Sequence, residues 1–413
     1  MNMMFRRLRQ AREYYRAHGM LSLLVKTKQT VQVASTTIFK KTDVLGFYDF
    51  VLDKPAGKPF PANTSEKTIN WFIPPYGRGS GGHLNIFRFV HLLEKLGYEC
   101  RIVIVGHHQK YDLVEAKRQI TEWFFLLNAP VYDGVDHVPP ATYTFATSWQ
   151  TAYYVRNFNT TKHKCYFVQD FEPYFYAVGS ESAFAEETYS FGFDTVTAGT
   201  WLSAKLSDEF GATTYPISFS YERGLYCLMA RREPEIKRVF FYARPPTQRR
   251  AFELGLLTLQ EVVNRMPNVK VIFAGWDVSN YEIPFEHLNA GTLSLQELPD
   301  LYNQCDVALV LSFTNLSLLP LELMACGVPV VSNRAPCTEW LLNDHNSILT
   351  RPVVEDLASG ICELLTDSST HHRIRSEGIR VANMSSWEDE AIKMDVALRI
   401  IAGDTSKEQV NAS

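Results

Sequence analysis

The sequence contains no Cys-x-x-Cys pair, no His-Glu-x-x-His and no Asp-x-Asp suited to a catalytic divalent metal. Its seven cysteines (Cys100, Cys165, Cys227, Cys305, Cys326, Cys337 and Cys362) are odd in number, unpatterned and mostly in apolar surroundings. They read as reduced thiols of a cytosolic protein and argue against a disulfide framework or a zinc site. The histidine pairs His107–His108 and His371–His372 are adjacent in the chain, so their side chains point apart and do not chelate. No apolar run approaches the roughly 20 residues needed to span a bilayer. The basic start lacks an uninterrupted apolar region followed by a cleavage site, so no signal peptide is expected. The net charge is only -4, which excludes an obvious polyanion binder. Basic–aromatic interleaving near Arg12–Arg16 is too short to argue for nucleic acid.

What the chain does have is 413 residues, 46% of them hydrophobic, enough for two domains with a core each. Charge is unevenly spread: residues 1–45 hold nine Lys/Arg against Glu13 and Asp43. Residues 3–24 are expected to form a helix with Met4, Leu8, Ala11 and Tyr15 on one face and Arg6, Arg9 and Arg16 off it. Such a segment either packs its apolar stripe on a domain or leans on an anionic membrane surface. From residue 68 onward, apolar runs alternate with amphipathic stretches. Strands are expected at 68–73, 100–105, 142–145, 165–168 and 194–197, with helices at 84–96 and 113–127. The pattern breaks near 211–221. It then restarts with strands at 238–243, 269–274 and 307–311 and helices at 252–265, 295–304, 356–365 and 387–401, the last with apolar residues at Ile392, Val396 and Ile400. Strands alternating with helices argue for parallel, doubly wound sheets.

One stretch organises the rest. The buried run Val307–Leu311 leads through Thr314-Asn315-Leu316-Ser317 into a short helix expected over 319–325, with Pro320 near its start and Gly327 as its stop; Val328–Val331 then begin the next strand. Loop residues between a strand's carboxyl end and a helix N-terminus are where open α/β sheets place anionic ligands. The stretch resembles the donor-site motif of GT-B glycosyltransferases of the retaining family 4 type. Glu322, Ala325, Gly327, Pro329 and Val330 fit its second half, whereas Thr314 stands where a first glutamate is expected and Asn315-Leu316-Ser317 replaces a glycine-bearing loop. The resemblance implies that Glu322 holds the nucleotide ribose and that Thr314, Asn315, Leu316 and Ser317 border the donor sugar. Without the resemblance, Glu322 reads as an acid at a helix N-terminus.

Three further constellations carry chemistry. Arg244 and Arg249 follow a strand end within Tyr242-Ala243-Arg244-Pro245-Pro246-Thr247-Gln248-Arg249-Arg250. By resemblance, both hold the donor diphosphate, Arg249 in a lysine's place. Two fixed cations would stabilise the charge that builds on the leaving oxygen without a metal; a solvated basic turn is the plainer reading. Gly77, Gly79 and Gly82 satisfy G-x-G-x-x-G, but the following strand ends in Val105-Gly106-His107-His108 with no acid for a ribose, which weighs against nicotinamide binding. Gly81 and Gly82 look like the Gly-Gly pair of GT-B enzymes. In Val168-Gln169-Asp170-Phe171-Glu172-Pro173, Gln169 stands where relatives carry a histidine facing the donor sugar, and Asp170 or Glu172 could bind acceptor or act as general base. A polar loop capping the next turn is the competing account.

Taken together, the residues are similar to a metal-independent GT-B glycosyltransferase: two Rossmann-like doubly wound parallel-sheet domains facing across a cleft. The divisions expected are a basic helical segment at 1–45, an acceptor domain at 46–214, a donor domain at 215–384 and a helix at 385–403 crossing back to the first domain. At finer grain, the Tyr242–Pro245, Ala251–Leu254 and Val168–Pro173 stretches resemble bacterial rhamnosyltransferases of the WsaF type. That resemblance implies a dTDP-β-L-rhamnose donor, a growing cell-surface glycan as acceptor (an S-layer glycan in that type), retention of configuration, and no cofactor or metal. It places the protein in the cytoplasm, at the membrane face where a lipid carrier would present the acceptor. Two rival readings stay open: an oxidoreductase using the Gly77–Gly82 loop, and a non-catalytic sugar-nucleotide or glycan-binding protein.

Overall fold

The computed structural model describes residues 43–52, 54, 60–61, 64–106 and 110–403. The expected basic helix at 3–24 lies outside them, as does the His107–His108 pair. The chain divides into two compact units, residues 1–54 and 55–413. In the first, the described residues form a helical turn at Val44–Phe47, capped by Asp43, whose Oδ1 accepts from the Gly46 amide at 2.8 Å, and a 3-10 turn at Asp49–Val51.

The second unit contains two all-parallel sheets. The first has seven strands, β1 (Thr68–Ile73), β2 (Glu99–Ile104), β3 (Val131–Asp133), β4 (Ala141–Ala146), β5 (Thr161–Val168), β6 (Asp194–Ala198) and β7 (Thr214–Ile217), in the order β3-β2-β1-β4-β5-β6-β7. The second has six, β8 (Arg238–Tyr242), β9 (Lys270–Ala274), β10 (His287–Gly291), β11 (Val307–Leu309), β12 (Val330–Asn333) and β13 (Ser347–Thr350), in the order β10-β9-β8-β11-β12-β13. Chain order reverses between β1 and β4 in the first sheet and between β8 and β11 in the second. The crevice at such a reversal, beyond the carboxyl ends of the strands, is where doubly wound sheets bind ligands.

The strands read as near-continuous apolar runs because helices cover both faces. Every residue of β1 and β4 is buried, and Trp71 of β1 stacks on Phe145 of β4 with centroids 4.7 Å apart. The helix Phe252–Arg265 lies so close to β8 that a Cβ on Gly255 would stand 2.1 Å from Cζ of Phe241. Gly327 adopts φ +72°, which ends the helix Leu319–Ala325 in the left-handed region that glycine occupies at no steric cost.

Four strands lie where none was expected, among them β13 at Ser347–Thr350. β3 ends at Asp133, with Gly134 (φ +72°) making the turn after it. β10 occupies His287–Gly291. β7 falls inside the apparent break at 211–221 and pairs with β6, so the first sheet runs on to Ile217, across the division expected at 214/215. A 17-residue helix, Ser368–Met384, was likewise unforeseen. The last helix, Trp387–Ala402, rests on the first sheet's layer: the Tyr98 hydroxyl donates to Asp395 and the Tyr143 hydroxyl to the Leu398 carbonyl, both at 2.8 Å. Its buried face is Trp387, Ala391, Met394 and Leu398, while Ile392, Val396 and Ile400 face solvent.

Candidate functional site

Four loops meet at the carboxyl ends of the two sheets. β8 leads into the arginine loop, and a 3-10 turn over Gln248–Arg250 joins it to Ala251. Ala251 has φ 48°, the sole non-glycine in the left-handed region among the described residues. Holding alanine there costs on the order of 1–3 kcal/mol, a strain that the surrounding contacts must outweigh. The turn separates the three arginines. The Arg244 guanidinium lies 5.9 Å from the Trp276 ring centroid, and its Nη1 reaches the Gly275 carbonyl at 3.4 Å. Arg249 sits 3.7 Å over the Phe175 ring, with its Nε 3.5 Å from Asp170 Oδ2. Arg250 donates to Ser312 Oγ at 2.6 Å and to the Asn315 carbonyl at 3.2 Å, so it props the neighbouring loop.

Asp170, at the end of β5, joins the two sheets. Its Oδ2 accepts from the Thr314 hydroxyl at 2.9 Å, and its Oδ1 accepts from the amides of Asn315 and Phe171, each at 2.8 Å. Burial pushes its pKa up, while Arg250 and Arg249 oppose the rise. Asn315 completes the junction by donating its side-chain amide to the carbonyls of Gln169 at 2.9 Å and Ala198 at 2.7 Å. Thr314, Asn315 and Leu316 are thus buried between the sheets. Ser317 is only half-buried, and its hydroxyl accepts from the Leu319 amide at 3.4 Å at the start of the next helix.

Gln169 faces the glycine loop. Its Nε2 donates to the Gly82 carbonyl at 3.0 Å, and its Oε1 accepts from Asn85 at 3.1 Å. From Asn85 a polar chain continues to Arg88, whose Nη1 donates to Asn85 Oδ1 at 2.8 Å while Nη2 reaches Glu222 at 2.6 Å. The buried Arg88 guanidinium also lies 4.2 Å from the Trp387 ring. Sequence reasoning missed this arginine, although a charge inside the run Ile86-Phe87-Arg88-Phe89-Val90 was the available signal. Gly81 and Gly82 open the helix Gly81–Lys95. A Cβ on Gly77 or Gly81 would meet nothing within 4 Å, so protein packing does not demand glycine there.

Two further carboxyls near the cleft are strongly perturbed. Glu322, in the first turn of Leu319–Ala325, is pushed up to about 7 by burial, with the Glu222 charge adding and Arg88 opposing. Glu172 is buried and pushed up to about 8, chiefly by burial, while the bond that its Oε2 accepts from the Trp149 amide at 2.7 Å opposes the shift. It lies under the loop and not on the cleft wall, which sets it apart from Asp170. The arrangement as a whole sets two part-exposed cations, Arg244 and Arg249, beyond β8 and a half-buried acid, Glu322, at the helix start beyond the adjacent β11. Chemically, such an arrangement can take a diphosphate with a hydroxylated group beside it.

Residues 237–362 match the family model described as WsaF, C-terminal domain. The O-antigen biosynthesis protein RfbC of Myxococcus xanthus is 32% identical over 356 residues, a match covering 78% of this chain and 26% of that protein. The chain therefore spans about a quarter of the length of this curated relative. Among solved structures, sucrose-phosphate synthase from Thermosynechococcus elongatus aligns with a TM-score of 0.61 at 16% identity, over 82% of this chain and 100% of the other. Anabaena Alr3699/HepE in complex with UDP-glucose aligns with a TM-score of 0.60 at 14% identity, over 83% and 100%. The chain has the GT-B fold, and residues 237–362 are similar to the WsaF C-terminal domain.

Proposed function

We propose that this WsaF-like GT-B chain is a glycosyltransferase that moves a sugar from a nucleoside diphosphate to a cell-surface glycan. The observation that carries the reading is the placement of Arg244 and Arg249 beyond β8, at the reversal point of the second sheet, with Glu322 at the helix start beyond the adjacent β11. Breaking a sugar–diphosphate bond leaves charge on the diphosphate, and two fixed guanidinium groups stabilise it in the transition state. Glu322 accepts from the nucleotide ribose. The unencumbered Gly77–Gly82 loop lets backbone approach the donor from the other wall. Asp170 has both oxygens engaged and positions Arg249 and the Thr314 loop in place of taking a proton. Two of its expected companions, Thr314 and Asn315, shape the site from behind.

At finer grain, the donor is dTDP-β-L-rhamnose, transferred with retention and without metal to an acceptor on a lipid carrier at the cytoplasmic membrane face. The WsaF-type second domain and an O-antigen biosynthesis protein as relative support this reading. Calorimetry with dTDP, UDP, GDP and ADP, each with EDTA and with magnesium, tests it. Preferential dTDP binding that is indifferent to EDTA is expected. Preference for another diphosphate removes the rhamnose donor, and absence of all binding removes the transferase.

A further inference from the structure

A groove opens where Phe313 follows β11. It is lined by Tyr174, Trp201, Lys205, Asp208, Glu209 and Phe313, lies open to solvent and offers about 460 Å³, within the roughly 300–1,000 Å³ of ordinary ligand sites. Five aromatic side chains are exposed among the described residues; two of them, Tyr174 (54%) and Phe313 (43%), line the groove, and a third, Phe175 (38%), follows Tyr174 in the chain. They are tied to the arginine loop. Phe175 carries the Arg249 guanidinium on its face, and the Phe313 amide donates to the Arg249 carbonyl at 3.0 Å. Trp201 stands at the start of the helix Thr200–Phe210, with Lys205 and Asp208 one and two turns further on. Lys205 is paired with Glu209 at 2.7 Å and lies 5.5 Å from the Tyr174 ring centroid, which steadies that ring. Asp208 has no hydrogen-bond or ion-pair partner among the described residues.

We propose that this groove binds a neutral glycan chain, the acceptor side of the cleft. Aromatic faces carry negative quadrupole charge and attract the polarised C–H faces of sugar rings. Carboxylates and an ammonium at the rim exchange hydrogen bonds with hydroxyls in both directions. One lysine against two acids leaves the lining negative, which disfavours chains bearing phosphate or uronate groups. Phe313 of the groove is bonded to the Arg249 carbonyl, so a sugar in it lies beside the arginine loop, with its terminal hydroxyl towards the group carried by the diphosphate. The acceptor role rests on the transferase reading above; glycan binding in the groove does not.

Saturation-transfer NMR detects such weak binding. The probes are methyl glycosides and disaccharides of rhamnose, glucose, galactose, mannose and N-acetylglucosamine, with glucuronic acid as the charged control. Saturation is expected on ring C–H protons of a neutral probe. It should fall about two- to tenfold in Tyr174→Ala and in Phe313→Ala. Asp208→Asn, at an exposed position that should not disturb folding, is expected to raise binding of the glucuronide. Nucleoside-diphosphate affinity should stay unchanged in all three variants. No saturation of any neutral probe, preference for the charged control in the unaltered protein, or a signal that survives loss of both rings would overturn the proposal. Unaltered protein that binds a glycoside but no nucleoside diphosphate keeps the groove and rejects the transferase.

Discussion

A guanidinium held between a ring and a carboxylate has little side-chain freedom left to lose, and Arg249 is held that way by Phe175 and Asp170. On the proposed function this pre-organises it for the diphosphate, and Arg249→Ala should lower turnover by about 10²–10³, the cost of removing one oxyanion donor. Arg249→Lys should recover only part of this, because an ammonium lacks the fork. Equal rates in both variants would remove Arg249 from the chemistry. Glu322 gives a second test. Its carboxyl, raised to about 7, must ionise before it can accept a charge-assisted bond. Nucleoside-diphosphate affinity should therefore rise with pH through about 7. Glu322→Gln should flatten that rise and weaken binding about tenfold or more at pH 8, since such a bond contributes roughly 1.5–3 kcal/mol. Both residues were legible in the sequence, because a strand end and a helix start are local features. Asp170 was legible as a polar group but not as a junction: its partner Thr314 is 144 residues away, and no local pattern reports that pairing.

At the level of elements, strands buried on both faces declared themselves as unbroken apolar runs, and the helices Phe252–Arg265 and Leu319–Ala325 lie where their spacing and their glycine and proline signals put them. β3, β7, β10 and β13 are three to five residues long, and β7 includes a proline. Short segments at sheet edges bury too little to show a pattern. The helix Ser368–Met384 buries only Ile374, Gly378 and Ala382, so it lacks the apolar stripe that would have betrayed it. Packing at Gly255 is the sharpest constraint on any element: a methyl group there collides with Phe241. Gly255→Ala should cost about 1–3 kcal/mol, as overpacking a core does, and lower the melting temperature. An unchanged melting temperature would mean that the helix can slide off β8 freely.

For the molecule as a whole, the buried acids make stability depend on pH. Glu172 is raised from 4.5 to about 8, so it holds its proton more firmly folded than unfolded. The stability this contributes is full below 4.5 and declines as pH rises towards 8. His83 acts oppositely: burial lowers it from 6.5 to about 4, and stability is lost as pH falls through that window. Glu172→Gln resembles the neutral acid, so its melting temperature should match the unaltered protein near pH 5 and exceed it at pH 8. Parallel melting curves would show that ionisation of Glu172 has no part in stability. At the same scale, the basic segment at 1–45 should bring the protein to anionic vesicles at low salt. Each Lys or Arg near such a surface contributes about 1 kcal/mol, and salt screens it. Flotation that persists at high salt, or after deletion of residues 1–24, would rule this out. No described helix is long and apolar enough to cross a membrane.

The last helix has a consequence for how the protein is made. Tyr143 in β4 bonds to the Leu398 carbonyl, 255 residues further on. A ribosome adding about 5–20 residues per second needs on the order of 13 to 50 s to cover that distance. During that interval the surface that Ala391, Met394 and Leu398 will cover stays open on the nascent chain. The first sheet therefore leaves the ribosome unfinished, dependent on whatever shields apolar surface in the cell until the final helix arrives to close it.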